Sequence, residues 1–482
     1  MPLSTLKTFL QHHLHPDIQR LVVAYSGGVD SHVLLHALVA LKETHHKPIV
    51  LVHIHHGLSQ FADAWAIQAQ QTAADYGITC IVKKVTVAKT ASLESAAREA
   101  RYQALQSILT TGDVLLLAHH QNDQAETVLL RLMRGTGIRG LAAMQAVGVA
   151  PFQSLSIPCW RPLLTVNRQA IMNYAQQQGL QWVEDDSNTN TLFNRNYLRH
   201  QIIPLLQQRW PSVNQQLADT SQRMREADEL LQELAAIDYQ QARRAVVDAE
   251  LPPLKRGIEG DLQHNDTAKL CESPLAPLCQ RGELPFFGQS LSKCQQTSSD
   301  NTLNIDFLGN LTAARRNNLL RYWLQQQQLA LPDYADLMRV WDEVCLAQPD
   351  AEPLLAWRGV EIRRYQKQLF AMTPLIAFNH SLEIPWLDKS QPLLLPSGES
   401  LSPTQAFTGI NATMWQNGQV SIRYRQGGEK IQPVGRHYHH ELKKLLQAQG
   451  VPTWQRQRIP LLYINQQLAA VLGYWIAHEF AA

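Results

Sequence analysis

The chain has 482 residues, with 43 Lys and Arg against 41 Asp and Glu for a net charge of +2, and is 45% hydrophobic and 17% charged. That length exceeds one ordinary domain, and the composition is that of a soluble globular protein with sizeable cores. A charge this close to zero does not by itself mark a nucleic-acid partner. No apolar stretch reaches the length of a membrane span, and the N-terminus lacks the apolar core of a signal peptide, so a cytoplasmic protein is expected. Six scattered cysteines (Cys80, Cys159, Cys271, Cys279, Cys294 and Cys345) form no Cys-x-x-Cys. Reduced thiols, and neither zinc nor an iron–sulfur cluster, follow.

Residues 21–25, Leu-Val-Val-Ala-Tyr, read as a buried strand. Ser26-Gly27-Gly28 is a turn, and Val33, Leu34, Leu35, Ala37 and Leu38 predict a helix packing back on the sheet. A strand, a glycine turn and a helix start make an anion site, because backbone N–H groups converge there and the helix dipole adds positive potential. Gly27 and Gly28 let the backbone approach a phosphate, while Ser26 and Ser31 supply hydroxyls. Asp30 would repel that phosphate unless a cation sits between them, so Mg²⁺ is expected. An ordinary capped corner is the plain alternative; adjacent glycines flanked by serines count against it. No G-x-x-x-x-G-K-[ST] occurs, which excludes a Walker loop.

Further strands are predicted over 49–54, 80–85 and 114–118, with helices over 63–76, 93–109 and 124–133. Alternating strands and helices imply a doubly wound parallel sheet with ligands at the carboxyl ends of its strands. Three motifs fall there. His53-Ile54-His55-His56-Gly57 ends the second strand, and reads as a nucleotide-contacting loop through His55 rather than a metal site, or as a solvated turn. His119 to Thr127 follows the fourth strand and opens a helix. Asp123 and Glu126 lie three apart there, so they are helical neighbours. They read either as a capping box or as groups for metal, a lysine ammonium or general-base work. Gly135-Thr-Gly-Ile-Arg-Gly140 spells G-x-G-x-x-G but follows a helix, which excludes the dinucleotide reading. With Arg131, Arg134 and Arg139 and no acid between 131 and 140, that loop suits a polyanion.

The Asp- and Asn-rich stretch 184–188 predicts a loop. Arg195 and Arg199, four apart on the following helix, have the spacing to clamp a phosphate backbone. A connecting helix is expected over 213–247, then a loop or insertion over 251–300 rich in Pro, Gln, Ser and Gly. A helix over 311–324, strands over 360–370 and a β-rich end complete the chain. Residues 421–460 hold eight Lys or Arg against two Glu, interleaved with Tyr424, Tyr438 and Trp454. A solvated charged face would explain any one such run; the surplus with aromatics favours nucleic acid.

Ser26-Gly-Gly-Val-Asp-Ser31 resembles the PP-loop of the ATP pyrophosphatases. Taken in order with His53–Ser59, Ala97–Tyr102, His119–Thr127, Arg134-Gly135-x-Gly137, Arg161–Leu164, Glu184–Asn188, Arg195-Asn196, Pro204–Leu206, Arg315-Arg316, Ile362–Tyr365, Gly435-Arg436 and Leu442–Lys444, it resembles the tRNA(Ile)-lysidine synthase family over nearly the whole chain. The resemblance implies a PP-loop catalytic domain over 1–212, a connecting helix over 213–247, a mostly helical tRNA-binding domain over 248–375 and a small α+β tRNA-binding domain over 383–482. It implies ATP-dependent ligation of lysine to the wobble cytidine of a CAU-anticodon isoleucine tRNA through an adenylated intermediate. With the residue readings it gives ATP contacts at Ser26, Gly27, Gly28, Val29, Asp30, Ser31 and His55. It gives catalytic roles to Asp30, Asp123 and Glu126, lysine contacts at Asp123, Glu126 and Asp185, and Mg²⁺ at Asp30 and Asp123. tRNA contacts are expected at Arg131, Arg134, Arg139, Arg195, Arg199, Arg436, Lys443 and Lys444. Two positions depart from the family pattern: His55 stands where Asn or Asp is common, and Asn122 where Asp is usual. The rival readings are a non-catalytic tRNA-binding protein, which Asn122 favours and the intact PP-loop opposes, and a PP-loop thiolase, which would need paired cysteines. A glutamine-dependent amidotransferase would need a nucleophilic Cys and its own domain. A homodimer is compatible with the sequence, which does not decide oligomeric state.

Overall fold

The computed structural model describes residues 2–57, 59–87, 93–152, 156–183, 190–250, 302–348, 350–402 and 409–482. The chain divides into two compact units, Met1–Leu231 and Gln232–Ala482.

In the first unit the elements run α1 (Pro2–His13), β1 (Arg20–Ala24), α2 (Val29–Ala40), α3 (Lys42–His45), β2 (Ile49–His55), α4 (Ala62–Asp75), β3 (Thr79–Lys84), α5 (Leu93–Gln106), β4 (Asp113–Leu116) and α6 (Gln121–Leu132). They continue with α7 (Ile138–Leu141), β5 (Val147–Val149), β6 (Pro158–Trp160), α8 (Arg168–Gln177), α9 (Asn194–Tyr197), a π-turn (Leu198–Ile202), α10 (Ile203–Arg209) and α11 (Val213–Glu250), which runs on into the second unit. The sheet order is β3-β2-β1-β4-β6-β5. All neighbours are parallel except β5, which runs antiparallel to β6. The strands are apolar on both faces because helices cover both. Leu21, Val23, Leu51, Val114 and Leu116 point into a core with α1, α2 and α8. Val22, Val50, Val52 and Leu115 point the other way, against Tyr102 and Leu105 of α5. This period of two with both sides buried is what a parallel, doubly wound sheet requires. β1 and β4 are neighbours whose connections leave in opposite directions across the sheet, so the crevice at their carboxyl ends is the topological switch point. The loops Tyr25–Gly28 and Leu117–His120 both open there.

The second unit holds two cores. One joins the four-stranded antiparallel sheet of Thr302–Asn304, Gln368–Met372, Val360–Tyr365 and Leu354–Trp357 to helices Ala313–Gln326 and Tyr334–Arg339, around Trp323, Leu319, Val340 and Ile362. Asp238 of α11, fully buried, is ion-paired with Arg315. The other packs the five-stranded sheet of Ile384–Pro385, Val420–Tyr424, Pro460–Ile464, Gln467–Val471 and Trp475–Ile476 against Leu442–Ala448. The two cores meet where Arg456 donates to Tyr365 Oη at 2.6 Å and Trp454 stacks edge-on to Tyr365 and Phe370. Helix 213–247 is present as expected. The middle part adds a four-stranded sheet to the expected helices. The 251–300 stretch and Asp185 lie outside the described residues.

Candidate functional site

β1 ends at Ala24 and α2 starts at Val29, with Gly28 as N-cap and Gly27 at φ +89°, a conformation that favours glycine. Gly28 has no side chain with which to cap the first turn, so the amides at the start of this 12-residue helix stay directed at the crevice. The serines shape the turn: Ser31 Oγ donates to Gly28 O at 2.9 Å and lies 3.2 Å from Ser26 Oγ. The turn is also tied from outside, since Val183 N–H donates to Gly27 O at 3.0 Å.

α6 begins at Gln121, three residues before the sequence predicts, because His120 acts as N-cap. Its Nδ1 accepts the Asn122 N–H at 3.2 Å while Asp123 Oδ2 accepts the His120 N–H at 3.0 Å. The capping box therefore pairs His120 with Asp123, not Asp123 with Glu126. With Nδ1 accepting, the ring proton sits on Nε2, facing Asp30 Oδ1 at 3.6 Å and Asp123 Oδ2 at 3.5 Å. Burial pulls the His120 pKa down, but Asp123 and Asp30 outweigh it and the net shift is upward. Burial works against the Asp123 carboxylate too, yet His120, His119 and Arg195 together hold its pKa down at about 2. His119 is half-buried; loss of solvent, helped by Arg161, Arg195 and Arg101 nearby, outweighs the pull of Asp123 and pushes its pKa down to about 3, so it is neutral near pH 7.

Asp123 and Glu126 share a face of α6, as their spacing predicts, and meet Arg195 and Arg199. Arg199 Nε reaches Glu126 Oε1 at 2.6 Å and Arg195 Nε reaches Glu126 Oε2 at 2.8 Å, while Arg199 Nη2 spans to Asp123 Oδ1 at 3.1 Å. Glu126 is 1% exposed. The four-residue spacing that suggests a phosphate clamp here clamps a carboxylate instead. Oε2 accepts from both arginines and Oε1 from Arg199, and with so little of Glu126 exposed a lysine ammonium reaches it only if an arginine moves. A buried carboxylate keeps its charge only with such partners.

Asp30 is reached from α8 by Arg168 Nη1, 3.2 Å from Oδ2. Asn122 Oδ1 accepts the Arg168 backbone N–H at 3.1 Å. An amide oxygen can accept that bond, if less strongly than a carboxylate, so the departure at position 122 leaves the α6–α8 contact in place. Arg168 is the residue that sequence reasoning missed; its only signal was a place at the start of a helix after the Arg161–Leu164 motif. His55 is 8% exposed, with Nε2 3.1 Å from Asp63 Oδ1.

The glycine loop after α6 is bound to its surroundings. Arg131 Nη1 donates to Gly140 O at 2.7 Å and Ala143 O at 3.1 Å. Gln124 holds both Met144 N and O, and Arg225 of α11 donates to Ala142 O at 2.9 Å. A Cβ on Gly140 would run into the Thr136 side chain. Arg134 and Arg139 are exposed on this loop, whereas Arg131 serves to shape it.

In the second unit the basic run of 421–460 separates into two sets. Arg423 pairs with Glu383, Arg425 with Glu429, Arg456 is buried against Val451 O, and Arg458 donates to Ile376 O. Tyr424 is buried and Trp454 packs between the two cores. Those six residues build the fold. Lys430, Lys443, Lys444 and the 77%-exposed Tyr438 face solvent, with Arg436 half-buried; Lys444 lies 3.5 Å from Glu441.

Among the described residues no group of three or more His, Cys, Asp or Glu side chains is arranged to hold a metal ion. For Mg²⁺, which takes one or two carboxylates plus phosphate and water, Asp30 is suited: its Oδ1 is buried with no hydrogen-bond partner. Asp123 has both oxygens engaged. No helix of the described residues is long and apolar enough to cross a membrane.

Three family models match the chain in order: a PP-loop domain over residues 3–206, a TilS substrate binding domain over 303–370 and a TilS substrate C-terminal domain over 420–482. The chain is 36% identical over 463 residues to a tRNA(Ile)-lysidine synthase of Coxiella burnetii, covering 95% of this chain and 90% of that protein. It is 37% identical to the protein of that name from Pectobacterium atrosepticum (95% and 91% covered) and 33% to that of Legionella pneumophila strain Lens (96% and 93%).

Proposed function

The chain belongs to the tRNA(Ile)-lysidine synthase family, and from that membership we propose that it joins L-lysine to C2 of the wobble cytidine of the CAU-anticodon isoleucine tRNA at the expense of ATP. The observation that carries this is the match of three domain models in order, with relatives above 30% identity over at least 95% of the chain. An intact PP-loop at the switch point supports catalysis over mere tRNA binding.

A pyrimidine carbonyl oxygen is a poor leaving group until it carries a phosphate ester. The C2 oxygen therefore attacks the α-phosphorus of ATP, the bond to the β-phosphate oxygen breaks, and pyrophosphate leaves with the electron pair. The lysine ε-amine, neutral when it attacks, then adds to C2 and expels AMP. The amides of the PP-loop turn and α2 offer the phosphates a cradle that needs no rearrangement. Asp30 Oδ1 would hold Mg²⁺, which supplies positive charge against the phosphates when bound. Asp123 and Glu126 hold Arg195 and Arg199 over the crevice, so their charge acts through the guanidinium groups; the lysine ammonium falls to the Glu184–Asn188 acids, Asp185 first. Arg134, Arg139, Arg436, Lys443 and Lys444 contact the tRNA, with Tyr438 beside the last three in sequence. The test is transfer of labelled lysine to this tRNA, dependent on ATP.

A further inference from the structure

We propose that Arg168 binds the β- and γ-phosphates of ATP and stabilises pyrophosphate as it leaves, changing partner from Asp30 to the nucleotide. The inference rests on the ATP-dependent reading, though only on its nucleotide and not on its acceptor. Arg168 is the first residue of α8, and Asn167 caps that helix by accepting the Ala170 N–H at 2.8 Å. Asn122 on α6 holds the Arg168 N–H, and Tyr174 on α8 bonds His36 on α2 at 2.9 Å. The backbone of Arg168 is thus fixed to both helices that open onto the crevice, and only its side chain is left to move.

That side chain is 44% exposed, and its contact with Asp30 is one hydrogen bond at 3.2 Å. A pair this exposed contributes little, so exchange of partner costs little. Arg195, Arg199 and Arg131 lack this freedom. Arg195 makes three contacts with Glu126, Thr127 and the Asp123 carbonyl, and Arg199 makes three with Glu126 and Asp123. Arg131 is bound to two carbonyls. Asp30 ties the argument to the phosphates. It stands in the first turn of α2, where its negative charge opposes an incoming polyphosphate, and Arg168 offsets that charge while the site is empty. When the polyphosphate enters with its cation, the carboxylate gains another partner and the guanidinium fork faces phosphate oxygens, a geometry to which it is suited. Negative charge accumulates on pyrophosphate as the bond between the α and β phosphates breaks, and a cation at that end lowers the barrier.

The test compares ATP with AMP. Binding of each to the full-length protein with Mg²⁺ is measured by equilibrium dialysis for wild type, Arg168→Ala and Arg168→Lys. The proposal expects Arg168→Ala to weaken ATP about tenfold to a hundredfold with AMP affinity unchanged, since a bond to a charged group is lost at one end of the nucleotide only. Arg168→Lys should recover part of the loss, which also shows that the alanine result is not a folding defect. Equal losses for ATP and AMP would assign Arg168 to holding the PP-loop, and no loss for either would remove it from the site; both overturn the proposal. Wild type that binds ATP yet transfers no lysine would overturn the ligase reading alone, with the ATP and AMP comparison still deciding Arg168.

Discussion

At the scale of single residues, the site is governed by which charges are already paired. Glu126 has both oxygens on Arg195 and Arg199 and almost no exposure. Glu126→Gln is expected to destabilise the catalytic unit by about 1–3 kcal/mol, since it leaves two part-buried arginines short of a charge. Urea unfolding checks this; a raised KM for lysine with unchanged stability would instead make Glu126 a substrate ligand. His119 gives a pH prediction. Its folded pKa of about 3 lies below the 6.5 of an exposed histidine, so the unfolded chain binds the extra proton between those values. Its contribution is complete above pH 6.5 and is lost as pH falls through the window towards 3. Between pH 6.5 and 4.5, above the titration of Asp123, wild type should lose up to about 1.4 kcal/mol more per pH unit than His119→Asn. Hydrogen exchange of β4 and α6 at the two pH values measures it, and parallel slopes would place a charged His119 in the folded protein. The types and spacing of Asp123, Glu126, Arg195 and Arg199 were legible in the sequence, but not that they would pair with one another. Sixty-nine residues separate Glu126 from Arg195, and only the fold closes that gap.

Elements were legible where hydrophobic pattern was strong. The four strands over 21–25, 49–54, 80–85 and 114–118 each appear within two residues of their observed bounds. β5 and β6 have three residues each, too short for alternation to register, and they were missed. The start of α6 was misplaced because histidine is an uncommon N-cap. The basic stretch 421–460 shows the limit of charge counting: Arg423, Arg425, Arg456 and Arg458 satisfy partners within the fold, so the excess open to RNA is smaller than the sequence implies. Lys443 and Lys444 stand exposed on Leu442–Ala448. Replacing both with alanine should weaken tRNA binding and reduce its dependence on salt by up to about two units of log–log slope, with Lys444 the smaller part because Glu441 is near. Filter binding at a series of salt concentrations checks this, and an unchanged slope would leave these lysines facing solvent.

At the scale of the whole molecule, one sheet supplies an anion site at its switch point, and α11 carries the chain from that unit into a second one with two cores of its own. The doubly wound sheet was legible because alternation of strands and helices leaves few topologies. The two-core second unit was not, since its strands are short and its contacts, such as Arg456 with Tyr365, are distant in sequence. The ligase account is tested most directly with purified protein, Mg²⁺, labelled lysine and the isoleucine tRNA transcript bearing CAU. Acid-precipitable label that requires ATP, and is lost when the wobble cytidine is changed to uridine, is the predicted result. Protein that binds this tRNA and ATP but incorporates no label, or that labels the uridine transcript equally, would contradict it.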